Sequence, residues 1–174
     1  MFLEYGANRI DDLSPRERCI WSAGRKLIYT IRWYMNGLME RSGLSIDLNI
    51  AEDFGRLPPE MEMGVFRIVQ ECLTNIHRHS GSKTATVRLF RTAGAVALEI
   101  QDEGKGIPAK KLKGIDGQRS GLGITGMRER VRHFKGVMDI HSDGTGTKIS
   151  ITLPLSTTEI PGPGNMPPAQ GSCE

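Results

Sequence analysis

Hydrophobic periodicity switches between two values along this chain, and the order of the switches leaves few ways to fold it. From Leu27 to Met39 apolar residues recur at Leu27, Ile31, Tyr34, Leu38 and Met39, the spacing of one helix face, and Gly43 follows as a stop. Leu44, Ile46, Leu48 and Ile50 then alternate with polar neighbours, the period-two pattern of a half-buried strand. Pro58-Pro59 opens a second helical stretch in which Val65, Val69, Cys72, Leu73 and Ile76 form one apolar stripe. Two strands follow, Thr84 to Phe90 and Ala95 to Gln101, joined as a hairpin at Thr92-Ala93-Gly94. A third helix is expected from near Gly121 through Val131 to Phe134, stopped by Gly136. Val137 to His141 and Lys148 to Leu153 then make a closing hairpin around Asp143-Gly144-Thr145-Gly146. A helix buries a stripe and a strand buries alternate residues. The order helix, strand, helix, two strands, helix, two strands therefore predicts a two-layer α/β sandwich, with a mixed sheet and its helices on one face.

The 38% hydrophobic content of 174 residues is enough for one sizeable core, placed here over 27–154. Residues 1–26 show no firm period and are left as an unassigned leader, while 155–174 are rich in Pro, Gly, Ser and Thr and read as a disordered tail. A net charge of +3 is far below what a dedicated nucleic-acid binder carries, so no nucleic-acid partner is expected. Cys19, Cys72 and Cys173 lack metal-type spacing, which points to a reducing, cytoplasmic setting. No apolar run approaches the roughly 18 residues of a membrane span. The chain is expected to be soluble by itself, although a longer parent could be membrane-anchored.

Three stretches bear chemistry. On the second helix Arg67, Glu71, Asn75 and either Arg78 or His79 recur at i, i+4 spacing opposite the apolar stripe. By itself such a face is a solvated row of ion pairs. Asp102-Glu103-Gly104-Lys105-Gly106-Ile107 comes directly after an apolar strand, where paired glycines let backbone approach a ligand and a carboxylate accepts a hydrogen bond. Alone it is also an ordinary turn. Gly121-Leu122-Gly123-Ile124-Thr125-Gly126 satisfies the G-x-G-x-x-G pattern, but a dinucleotide fingerprint needs a strand immediately before it, and Lys110 to Ser120 is polar. Glycines at a helix entrance still favour a phosphate, through free backbone N–H groups and the helix dipole. No P-loop motif occurs. His77, His133 and His141 have no partner at metal-ligand spacing and read as surface histidines. Leu13-Ser14-Pro15-Arg16-Glu17-Arg18 looks like the opening of a response-regulator helix-turn-helix, but nothing after it continues the pattern.

Taken in order, Arg67 to Ser80, Asp102 to Ile107, Gly121 to Arg130 and Gly144-Thr145-Gly146-Thr147 resemble the catalytic ATP-binding domain of two-component sensor histidine kinases. The likeness is nearest to the subgroup that pairs with NarL/LuxR-type response regulators, and it spans about Leu27 to Pro154. It implies the Bergerat fold shared with gyrase, Hsp90 and MutL, with ATP and Mg²⁺ as cofactors. By this resemblance Glu71 polarises the attacking group or water, Asn75 holds Mg²⁺ against the phosphates, and Arg78 and His79 lie near the phosphates. Asp102 accepts from the adenine amino group, with Gly104, Gly106 and Ile107 forming the loop at the base and Thr147 assisting. Gly121, Leu122 and Gly123 edge a lid around the phosphate tail. A carboxylate and an amide one helical turn apart also suit a hard, oxygen-liganded cation shared with a nucleotide.

One departure matters. Kinases of this group carry the phosphoacceptor in an upstream dimerisation helix with a Glu-x-x-His-Asp type motif, and the four histidines here all lie at His77 or later. The expected partner is therefore a separate histidine-bearing dimerisation domain and, through it, a response regulator. The chain would be either a piece of a longer kinase or a donor acting in trans. Two readings from other classes remain: a non-catalytic ATP-binding interaction module whose Gly104 to Ser120 lid alters a partner contact, and an anti-sigma-type serine kinase.

Overall fold

The computed structural model describes residues 26–51, 54–108 and 122–155. The expected leader up to residue 25, most of the expected lid, Gly121 and the expected tail beyond Leu155 lie outside the described residues. Helix α1 spans Lys26–Ser42 and buries Leu27, Ile31, Met35 and Leu38. It runs a little past the expected end at Met39 and stops at Gly43, which takes φ +69° and returns its N–H to Met39 O at 2.9 Å. Strand β1 covers Ser45–Ile50, and helix α2 covers Pro59–Asn75 with Pro at the first helical position, where its missing N–H costs nothing.

Strands β2 (Thr84–Thr92) and β3 (Ala95–Asp102) pair antiparallel around Ala93-Gly94, with Gly94 at φ +81°. Helix α3 (Leu122–His133) leads to β4 (Val137–Asp143) and β5 (Gly146–Pro154). The five strands lie in the order β1-β2-β3-β5-β4. Only β1 and β2 run parallel, from Ser45↔Thr84 to Ile50↔Leu89. A parallel pair needs a long crossover, and α2 supplies it. The sheet is mixed, and among the described residues three α-helices cover one of its faces, as the order of periods predicts.

The core follows from the register. Leu89, Leu98 and Ile151 form one transverse row, and Val87, Ile100, Ile149 and Ile140 the next. Apart from Ile140, these residues join Val65, Ile68, Val69 and Leu73 of α2 and Met127 and Val131 of α3 in a single apolar cluster. Burying side chains of this size stabilises by about 1.5–3 kcal/mol each against exposure. The opposite face carries Arg88, Glu99 and Lys148, with Glu99 Oε1 3.0 Å from Lys148 Nζ, a partly exposed pair of small worth. Where α2 and α3 cross, a Cβ on Gly64 would lie 2.4 Å from Phe134 Cε2, so only glycine admits that ring.

Candidate functional site

The row after Val87, Ile100, Ile149 and Ile140 is polar. It consists of Ala85, Asp102, Thr147 and Ser142, placed side by side by the same register and facing the same way as the core. The alternation of β3 thus continues one step too far for an apolar core and sets a carboxylate where a Val or Ile would otherwise sit. Asp102 is only 5% exposed. Gly104 N–H donates to its Oδ1 at 2.8 Å, and Thr147 donates a second backbone N–H. Burial outweighs those two donors and pushes the Asp102 carboxyl above its ordinary range. A buried acceptor with unspent hydrogen-bonding capacity is the mark of a group waiting for a donor.

The loop after β3 is fixed at both glycines. A Cβ on Gly104 would lie 2.3 Å from Ser80 O, the same carbonyl that accepts from Lys105 N–H at 2.9 Å. Gly106 has φ +68°, and a Cβ there would lie 1.7 Å from Asp143 O. Ile107 N–H donates to Ser142 Oγ at 2.7 Å. The loop is therefore clamped between the end of α2 and the β4–β5 hairpin.

The end of α2 holds a feature that periodicity alone did not reveal. After Asn75 the helix widens into a π-turn over Ile76–Ser80 and ends at Gly81, φ +72°. Ser80 Oγ donates to Ile76 O at 2.8 Å and accepts from Ser82 N–H at 2.9 Å, tying the turn to the next strand. Ile76 and Ser80 point inward, and His77, Arg78 and His79 are all exposed. The extra residue in the turn interrupts the i, i+4 row that runs Arg67, Glu71, Asn75. Arg67 is itself exposed and donates to Gln70 Oε1 at 2.8 Å, away from the site.

Glu71 and Asn75 are half-buried, and Asn75 Nδ2 donates to Glu71 Oε1 at 3.4 Å. With its nitrogen turned toward Glu71, the amide keeps its Oδ1 for another partner. The start of α3 closes over this pair: a Cβ on Gly123 would lie 1.9 Å from Glu71 Oε1. Gly123 is thus brought to Glu71, Leu122 is the first residue of α3, and Gly121 lies outside the described residues. Glu71, Asn75 and Gly123 form one side of the site, and Asp102, Gly104, Gly106, Ile107 and Thr147 the other. Arg78 and His79 stand on the exposed turn between them.

Sequence reasoning missed Ser80 and Ser142, which hold no expected role yet bind the loop from either end. For Ser142 the signal was present, since Met138, Ile140 and Ser142 continue one alternation, but the expected strand stopped at His141. A depression of about 80 Å³ lined by Gln101, Asp102, His141, Asp143, Thr145, Gly146, Thr147 and Lys148 is too small for a nucleotide. Asp102 and Thr147 belong to the candidate site, but Gln101, His141 and Lys148 project from the helix-free face, so the depression only borders that site. His133 packs edge-on against Phe134 with ring centroids 5.1 Å apart, and His141 Nε2 lies 3.9 Å from Asp143. Cys72 is buried 3.4 Å from Met127 Sδ, and burial pushes its thiol up to about 12, making it a packing residue. Cys19 and Cys173 lie outside the described residues.

Comparison with known proteins shows the family and the fold. Residues 60–157 match the model of the histidine kinase-, DNA gyrase B-, and HSP90-like ATPases. The signal transduction histidine-protein kinase/phosphatase DegS of Bacillus subtilis is 39% identical over 133 residues, 76% of this chain and 33% of that protein. The sensor histidine kinase MctS of Rhizobium johnstonii is 32% identical over 117 residues, 67% of this chain and 25% of that protein. The chain spans a quarter to a third of the length of these curated relatives. A solved histidine kinase domain, from the Erythrobacter litoralis EL346 blue-light activated kinase, superposes with a TM-score of 0.60 at 25% identity. That superposition covers 74% of this chain and 60% of that one.

Proposed function

Because the chain belongs to the histidine kinase-, DNA gyrase B- and HSP90-like ATPase family, as an ATP-binding catalytic domain of the sensor histidine kinase type, we propose that it binds Mg-ATP between α2 and the β3 loop. From there it donates the γ-phosphoryl group to a histidine on a separate dimerisation domain, from which a response regulator is served. The observation that carries this reading is Asp102, a buried carboxylate at the open end of the sheet, across the site from Glu71 and Asn75. Its unspent lone pairs suit the amino group of adenine. Gly104 and Gly106 keep side chains out of the way of the base, and Ile107 offers it an apolar edge.

The residues present fit a hard cation. Asn75 keeps its Oδ1 because its nitrogen is engaged by Glu71, and oxygen donors are what Mg²⁺ takes. Among the described residues no three His, Cys, Asp or Glu side chains converge, so an ion held by Asn75 would be shared with the phosphates and water. Bound there, it would neutralise charge on the phosphate oxygens. Glu71 accepts the proton of, or orients, the group that attacks the γ-phosphorus. The bond to the β-γ bridging oxygen breaks, a phosphorus-nitrogen bond forms, and ADP leaves. The exposed Arg78 adds positive charge and His79 a ring N–H on the phosphate side, and the first turn of α3, with Leu122 and Gly123, supplies the edge of the lid together with Gly121.

Separating the two α2 residues tests the assignment. Asn75→Ala should abolish the Mg²⁺ dependence of ATP affinity, because a ligand residue acts on the ground-state complex. Glu71→Gln should bind ATP as before but, assayed with an added dimerisation domain, lose phosphoryl transfer by about a hundredfold or more. Calorimetric titration and transfer assays giving the reverse pattern would overturn both roles.

A further inference from the structure

The Asp102, Thr147, Ser142 row contains a hydroxyl whose hydrogen bonds can be counted completely. Ser142 Oγ accepts from Ile107 N–H at 2.7 Å, contacts Gly146 O at 2.9 Å and contacts Thr147 Oγ1 at 2.9 Å. A carbonyl cannot donate, so the single Ser142 proton goes to Gly146 O. The bond between the two hydroxyls must then be made by the Thr147 proton, with Ser142 Oγ as acceptor. Ser142 is thereby saturated, with one bond donated and two accepted. Thr147 has spent its only side-chain proton on the side away from Asp102, and its hydroxyl presents lone pairs alone.

We propose that Ser142 is a positioning residue that sets base specificity, by taking the Thr147 proton and so making Thr147 a pure acceptor beside Asp102. The inference rests on the reading that Asp102 receives the adenine amino group. Two neighbouring acceptors on one face select a base edge that brings donors. The exocyclic amino group of adenine brings two N–H bonds and can serve both acceptors, whereas hypoxanthine brings a carbonyl at that position and a single ring N–H beside it, so it serves one acceptor and sets its carbonyl against the lone pairs of the other. Without Ser142 the Thr147 hydroxyl is free to rotate and donate to such a carbonyl, so the rejection fails while adenine still binds. Sequence alone puts Ser142 at the end of the Met138, Ile140, Ser142 alternation but gives it no partner. The count of its partners gives it this role.

The test is discrimination rather than affinity. ATP and inosine triphosphate differ at this edge of the base, and calorimetric titration of the full 174-residue chain gives the ratio of their dissociation constants. The unsubstituted chain should favour ATP by more than tenfold. Ser142→Ala should reduce that ratio by about tenfold, the equivalent of one oriented hydrogen bond. Ser142→Thr, which restores the hydroxyl, should recover it, and Ser142→Ala placed on Thr147→Val should change the ratio no further. A Ser142→Ala protein that binds both nucleotides more weakly by the same factor has lost only loop support, and that result overturns the proposal while leaving the adenine assignment intact. An unsubstituted chain that binds ATP and inosine triphosphate equally overturns the adenine assignment and the proposal with it.

Discussion

At the scale of single residues, the site is made from positions that a stable core would fill differently. Asp102 occupies a core-facing row of the sheet, and burial holds its carboxyl above the ordinary value of 3.8. Below that value both the folded and the unfolded chain carry the proton and Asp102 costs nothing. As pH rises the unfolded chain ionises first, so stability is lost until pH has passed the raised folded value, and it stays lost above it. Asp102→Asn should therefore leave the ligand-free protein at neutral pH at least as stable as its parent, a difference that thermal unfolding should show vanishing below pH 3.8. The same substitution removes a charged acceptor, and ATP affinity should fall by at least ~1.5 kcal/mol. In the parent, acidification should weaken ATP binding at a higher pH than an ordinary aspartate would. Loss of stability together with unchanged ATP affinity in Asp102→Asn would remove this residue from the site.

At the scale of elements, the loop after β3 works because two other elements hold it. Gly104 lies against Ser80 O of the π-turn and Gly106 against Asp143 O of the β4–β5 hairpin. Gly104→Ala should force the loop off the π-turn and weaken ATP binding by about tenfold or more, whereas Gly144→Ala, with nothing within 4 Å of the added carbon, should leave affinity unchanged. Titrations in which the two variants behave alike would show that the clamp is unimportant. The elements themselves were legible from sequence because each buries a regular stripe: Val65, Val69, Cys72 and Leu73 on α2, and Ile76 directly after it, are all buried. The order of periods likewise gave the mixed sheet. The π-turn was not legible, since widening a helix by one residue leaves no mark in composition and shifts the faces of only a few positions. Ser80 and Ser142 escaped notice for a related reason. The loop groups they hold, Lys105 N–H on Ser80 O and Ile107 N–H on Ser142 Oγ, are far away in sequence, and a serine near a turn is ordinary.

At the scale of the whole molecule, the described domain is one layer of helices on one sheet, with the candidate site at a single end of the seam between them. On the proposed reading, none of the four histidines receives the phosphoryl group in line. His77 and His79 belong to the turn that borders the site, His133 packs on Phe134, and His141 projects from the helix-free face near Asp143. Given labelled ATP and Mg²⁺, the chain should bind nucleotide without forming acid-labile, alkali-stable phosphohistidine, and a dimerisation domain of a related kinase should acquire the label instead. Stoichiometric label mapped by mass spectrometry to any of the chain's own four histidines would refute the donor reading. The wide turn at Ile76–Ser80 also bears on how such domains can be recombined. An insertion of one residue in a helix normally rotates everything after it by about 100°, but here the turn absorbs the surplus and delivers the Ser80 carbonyl to the glycine loop. A chimera that joins this helix to another kinase's sheet must keep its crossover outside Glu71 to Gly81, because a splice within that stretch would change the winding and carry the Glu71–Asn75 side and the Asp102 side out of alignment together.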